Sequence, residues 1–258
     1  MKALAPLLLL SAACGPAMDL GSNVLWSAQF EGGNFAEWTG QTGGGANAVP
    51  SPPNTIQVST LEAHHGRYAA QLTIDTTGGA QQNAGLNRRG GLPPAAYYSA
   101  WYYIPRSVTV GNFWLISKFR ERAAVDDAMS DTELYDVGLV NNPATGELTV
   151  SLLDHRMTGP FAQPTPPPVV PVSGWFQLEA YYRNAPDASG RLTIWLFDDT
   201  RGLRQIYDVS GPMAPNPWVE WDVVNVGENL TPTPTVLNVD DCAISLSRVG
   251  PTGVIANP

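Results

Sequence analysis

The sequence predicts an all-β fold: a single-domain, two-sheet antiparallel β-sandwich of the jelly-roll kind. Three observations carry this expectation. Apolar and polar residues alternate with period two in one segment after another, as a strand requires when one of its faces is buried. The 258 residues include 25 glycines and 23 prolines, a composition suited to short strands joined by many turns. Charged residues are only 14% against 43% hydrophobic, which disfavours a helical bundle and supplies ample material for a packed core.

The elements follow in chain order. Strands are expected at 23–31, 56–59, 69–75, 96–104, 112–121, 134–141, 148–155, 175–182, 190–197, 204–208, 219–226 and 236–248. Turn chemistry separates several of them: Asn142-Pro-Ala-Thr-Gly146, Pro186-Asp-Ala-Ser-Gly190 and Asp199-Thr-Arg-Gly202. One short helix is expected within 122–131. The Gly/Pro-rich stretch 39–55 and the proline-dense stretch 163–172 read as loops, because similar strands flank both. One domain, residues 20–251, therefore follows, with a tail at 252–258.

Residues 1–19 read as an export leader and short tether. Lys2 supplies the charge, Ala3 to Leu10 the apolar core, and Ser11-Ala12-Ala13-Cys14 the small-residue cleavage site. The apolar run is too short to span a bilayer. Leu10-Ser-Ala-Ala-Cys14 resembles a bacterial lipoprotein signal, although Ser11 stands where that signal has leucine. The resemblance implies lipidation of Cys14 and an outer-membrane lipoprotein. An ordinary leader cut near Ala13 or Ala17 implies a secreted or periplasmic protein. The other cysteine, Cys242, lies among Val239, Ala243, Ile244 and Leu246 and reads as a buried strand thiol. The net charge is −9 with no Lys/Arg cluster, which argues against nucleic acid as a partner. A monomer is expected.

Three stretches carry a family resemblance. They are Phe30-Glu31-Gly-Gly-Asn-Phe-Ala-Glu-Trp38, His64-His65-Gly66-Arg-Tyr-Ala-Ala-Gln-Leu72 and Val239-Asp240-Asp241-Cys-Ala-Ile-Ser-Leu-Ser-Arg-Val-Gly250. With Trp175 and Trp195 between them, the chain resembles the concanavalin A-like lectin/glucanase superfamily, most closely its polysaccharide-lyase-related and carbohydrate-binding members. The resemblance implies a structural calcium held by Glu31, Asp240 or Asp241 and a backbone carbonyl near Gly66. Hard oxygen donors suit that ion. His64 and His65 read as structural residues of a turn.

Strand alternation selects the candidate glycan-binding residues. If the strands at 112–121, 148–155, 175–182 and 190–197 share one sheet, its open face carries Trp114, Lys118, Arg120, Ser151, His155, Gln177, Glu179, Tyr181, Arg183 and Trp195. Arg122 follows on the same side. Aromatic faces stack on sugar rings, while Arg, Gln and Glu can pair with hydroxyls or carboxylates. Such a basic face suits an acidic polysaccharide as partner. An ordinary sheet face whose aromatics lie under a loop is the plain alternative.

Three functions remain open on the sequence. One is binding of an acidic polysaccharide, with Trp114, Gln177, Glu179, Arg183 and Trp195 as contacts. The second is a polysaccharide lyase, in which Lys118, Arg120 or Gln177 would neutralise a uronate carboxylate and Tyr181 or His155 would move the proton. The third is a structural or adhesive envelope lipoprotein. A glycoside hydrolase is disfavoured, because Glu133 and Asp136 leave opposite faces of their strand and no other pair suggests itself.

Overall fold

The computed structural model describes residues 23–38, 53–89, 92–122, 132–155, 161–213 and 218–251. The leader, Cys14, most of the Gly/Pro-rich loop, residues 123–131 of the expected helix and the tail from 252 lie outside the described residues. Two antiparallel sheets make up the fold.

The strands are β1 (Val24–Ala28), β2 (Thr55–Ser59), β3 (Ala69–Ile74), β4 (Gln82–Arg89), β5 (Ala95–Tyr103), β6 (Thr109–Arg122) and β7 (Thr132–Asn141). They continue with β8 (Leu148–Asp154), β9 (Trp175–Arg183), β10 (Arg191–Asp198), β11 (Gly202–Ser210), β12 (Trp218–Thr231) and β13 (Thr235–Ser245). All twelve expected strands are present, with shifted ends. The addition is β4, whose Asn, Gly and Arg residues give it little intrinsic strand preference. Arg122 ends β6.

The larger sheet runs β11-β10-β9-β5-β13-β3-β2, and the smaller runs β4-β12-β6-β7-β8. In the larger sheet β13 carries two partners along one edge. β3 pairs with residues 235–239 and β1 with residues 242–245. Asp240 and Asp241 fall in the gap between them.

The core lies between the sheets. Leu72, Tyr98, Phe176, Tyr182, Leu192 and Ile194 of the larger sheet meet Leu86, Phe119, Tyr135, Leu152 and Trp221 of the smaller. Tyr98 packs edge-on to Phe119, and Phe119 stacks on Tyr182. Each such side chain contributes about 1.5–3 kcal/mol through removal from water. Cys242 is fully buried, as expected, and burial pushes its thiol well up.

Two expectations about faces are corrected here. The four strands meant to form one face belong to different sheets: Lys118, Ser151 and Arg120 lie on β6 and β8 of the smaller sheet. Gln177, Glu179, Tyr181, Arg183 and Trp195 lie on β9 and β10 of the larger. Trp114 is 1% exposed and belongs to the core, with its indole N–H donated to Asn225 Oδ1 at 2.8 Å. A register shift between Leu115 and Ser117 explains it. A bulge inserts one residue and reverses the parity of the strand, so Trp114 and Phe119 both point inward despite odd spacing.

Candidate functional site

The outward face of the smaller sheet holds a charged array built by strand register. Asn87 and Arg89 of β4 oppose Asp222 and Glu220 of β12. Those two acids in turn oppose Lys118 and Arg120 of β6, and Lys118 opposes Asp136 of β7. Glu220 and Asp222 are two apart on one strand and therefore share a face. The spacing Glu220-Trp-Asp222 was visible in the sequence, and so was the Asn87-Arg-Arg89 run. What the sequence does not show is that β4, β12 and β6 pair so as to bring both onto one face.

The contacts are close. Arg89 Nε lies 3.0 Å from Glu220 Oε2, and Arg120 Nε lies 3.0 Å from Asp222 Oδ2. Asn87 Nδ2 donates to Asp222 Oδ1 at 2.6 Å and to Glu220 Oε1 at 3.2 Å. Lys118 Nζ is 3.9 Å from Asp136 Oδ1, and His155 Nε2 is 2.8 Å from Asp136 Oδ2. Glu220 and Asp222 are fully buried and Lys118 and Asp136 nearly so, whereas the His155 side chain is 31% exposed.

The expected basic face is therefore a balanced one, since carboxylates from β7 and β12 come into register with its cations. Burial and the charge of Glu220 raise the Asp222 carboxyl well above the usual range.

On the outward face of the larger sheet the expected glycan contacts hold the chain's own C-terminal segment. Gln177 Nε2 donates to Gly250 O at 2.9 Å. Glu179 accepts the Val249 and Gly250 N–H groups and the Arg248 Nε, the last at 2.8 Å. The Arg248 guanidinium lies over the Trp195 ring, 4.3 Å from its centroid. This corrects the reading of Gln177, Glu179 and Trp195 as an open platform, and the covering-segment alternative holds there. A buried carboxylate needs several donors, and residues 248–250 supply them. Tyr181 and Arg183 stay near solvent, lining a depression of about 280 Å³ with Arg191. Tyr181 is on the opposite side of the molecule from His155, so the two do not form one site.

The residues expected to hold calcium converge on the loop before β3. Glu31 Oε1 accepts the Arg67 and Tyr68 N–H groups at 2.9 and 3.0 Å. A Cβ on Gly66 would stand 2.4 Å from that carboxyl group. Asp240 Oδ2 accepts the His64 and His65 N–H groups at 2.8 and 3.3 Å. Asp241 Oδ2 lies 2.7 Å from His64 Nδ1 and 2.5 Å from His65 Nδ1. Calcium asks for six to eight oxygens, and one oxygen of each carboxylate here is turned to nitrogen groups of the 64–68 loop.

No protein-family model matches the sequence, and no curated protein matches it. Solved structures do. An endo-β-1,4-glucuronan lyase from the fungus Trichoderma reesei matches with a TM-score of 0.62 at 11% identity, over 90% of this chain and 100% of that one. A PL-14 alginate lyase from Aplysia kurodai matches with a TM-score of 0.53 at 10% identity, over 87% and 100%. The chain shares their jelly-roll fold. So does the calreticulin globular domain of T. cruzi, with a TM-score of 0.52 at 9% identity over 87% and 89%. One scaffold thus serves proteins of different kinds, and function must be argued from the site.

Proposed function

We propose that the protein is an exported polysaccharide lyase that cleaves a uronate-containing glycan at the outward face of the smaller sheet. The observation that carries this reading is the His155–Asp136 pair beside Lys118 and Arg120. A partly exposed imidazole oriented by a buried carboxylate is the arrangement of a general base. In the tautomer whose Nε2–H is donated to Asp136, Nδ1 is the basic nitrogen of the ring. The fold shared with glucuronan and alginate lyases supports the substrate class.

In the proposed reaction His155 takes the proton from C5 of the uronate. Lys118 and Arg120 stabilise the charge that grows on the carboxylate. The C4–O4 bond breaks as the C4–C5 double bond forms, and the imidazolium returns its proton to the departing oxygen. Asp136 stabilises the imidazolium meanwhile.

The test is incubation with glucuronan, alginate, pectate and glycosaminoglycans, following the ultraviolet absorbance of the unsaturated uronate. A rise that His155→Ala abolishes and Tyr181→Phe leaves intact supports the reading. Retardation in affinity gels without any rise supports the second reading, a binding protein, for which Tyr181, Arg183 and Arg191 around their depression are the relevant groups.

A further inference from the structure

We infer that His64, His65 and Asp241 form a binding site for a divalent transition-metal ion of the zinc class. Two imidazole Nδ1 atoms converge on a single carboxylate oxygen, at 2.7 and 2.5 Å. The three ligand atoms lie within 4.8 Å of one another. Imidazole nitrogens with one carboxylate oxygen suit zinc and its neighbours, whereas calcium and magnesium take oxygen.

The backbone is shaped to create this convergence. Consecutive residues of a strand normally point to opposite faces. Here β13 shifts register between Asp240 and Ala243 against β5, and Asp241 adopts a φ of 45°. That conformation is disfavoured for a residue with a Cβ and persists where surrounding structure imposes it. As a result Asp240 and Asp241 both serve the 64–65 loop. Asp240 accepts both histidine backbone N–H groups and fixes the loop, and Asp241 meets both rings.

The surroundings also fit. The His64 ring stacks on Trp101 at 3.7 Å and meets Trp175 edge-on at 5.5 Å, so its orientation is held by packing. Gln29 Nε2 donates to the other oxygen of Asp241 at 3.3 Å, the kind of supporting contact that orients a metal-binding carboxylate. The Asp241 side chain is 1% exposed and that of His65 is 41% exposed, so an ion has a route in and solvent can supply the fourth ligand. Zinc holds its ligands at about 2.0–2.2 Å, and tetrahedral donors then stand about 3.3 Å apart. The His65 and His64 nitrogens would have to draw back from Asp241 Oδ2 by about 0.8 and about 0.6 Å to admit the ion.

The experiment uses the full chain, stripped with chelator and titrated calorimetrically with Zn²⁺ and, separately, with Ca²⁺. The expected result is one Zn²⁺ per chain with a dissociation constant in the micromolar range or below, and no comparable response to Ca²⁺. Co²⁺ should produce the visible absorption of a four-coordinate nitrogen/oxygen site. His65→Ala and His64→Ala/His65→Ala should weaken Zn²⁺ binding by about 100-fold or more. Circular dichroism in chelator should show both variants folded. Absence of binding in the folded wild type overturns the inference. So does Zn²⁺ binding that the folded double variant retains, or Ca²⁺ competing on equal terms. None of these readouts depends on lyase activity.

Discussion

His155 Nε2 and Asp136 Oδ2 lie 2.8 Å apart, with the carboxylate buried and the ring partly exposed. The pair gives the first prediction. If His155 carries the proton, His155→Ala should lower lyase turnover by about 10²–10⁴-fold, and the thermal midpoint should fall as well, because the buried Asp136 carboxylate loses a partner. Asp136→Asn should fall between the two, retaining an acceptor for Nε2–H but losing the charge that stabilises the imidazolium. Turnover unchanged in His155→Ala would remove this face from the chemistry.

Asp222 makes stability depend on pH in a direction that can be worked out. Burial and Glu220 raise its carboxyl in the folded protein, so the folded chain holds a proton that the unfolded chain has released. Its contribution to stability is full below the unfolded value of about 3.9 and is lost as pH rises through the folded value. Asp222→Asn removes that titration. Denaturant unfolding at stepped pH should therefore show the wild type losing stability relative to Asp222→Asn as pH climbs. Parallel curves would mean that Asp222 ionises in the fold without penalty.

What the sequence revealed and what it hid have separate physical causes. Alternation in Phe176-Gln-Leu-Glu-Ala180 and Leu192-Thr-Ile-Trp-Leu196 assigned inward and outward faces correctly, because β9 pairs with β10 without a register shift. The same reasoning misplaced Trp114, since a bulge leaves no mark in composition. Nothing in a strand's own residues says which sheet it joins, so Lys118 and Glu179 were placed on one face although they lie on opposite sides of the sandwich. His155, Lys118 and Arg120 did prove to be neighbours, while the carboxylates that balance them came from strand pairings no local pattern encodes. β4 was hidden because its inward set is Ala84, Leu86 and Arg88. That arginine is 1% exposed and lies 4.4 Å from the Trp26 centroid, a cation–π contact that replaces the expected apolar residue.

Arg248 reinforces the backbone bonds that hold the segment after β13 to the sheet. Arg248 satisfies Glu179, which is 1% exposed on its side chain, and covers Trp195. Removing it leaves a buried carboxylate with fewer donors, so Arg248→Ala should cost about 2–3 kcal/mol. For a chain of this size that is a fall of about 5–10 °C in the thermal midpoint. Arg248→Lys should recover part of the loss, because it keeps the charge and forfeits the flat contact with the indole. Hydrogen exchange at Val249 and Gly250, whose amides bond to Glu179, should quicken in step. A midpoint unchanged in Arg248→Ala would show that the segment needs no such anchor.

Two glycines with nearly the same backbone separate strain from crowding. Gly66 has a φ of 67° and Gly146 a φ of 76°, and either position penalises a Cβ by about 1–2 kcal/mol. At Gly146 nothing lies within 4 Å of the added carbon, so Gly146→Ala should show the backbone penalty alone. At Gly66 the new carbon would stand 2.4 Å from the Glu31 carboxyl group. Glu31 would have to move, abandoning the Arg67 and Tyr68 N–H groups that it accepts. Gly66→Ala should therefore cost about 1–3 kcal/mol more than Gly146→Ala, read as the difference between their midpoints in denaturant. Adding Glu31→Ala to Gly66→Ala should recover the clash but not the lost hydrogen bonds, leaving the double variant between wild type and Gly66→Ala. Equal costs for the two glycine variants would mean that Glu31 moves aside freely and that its carboxylate does not hold the loop before β3.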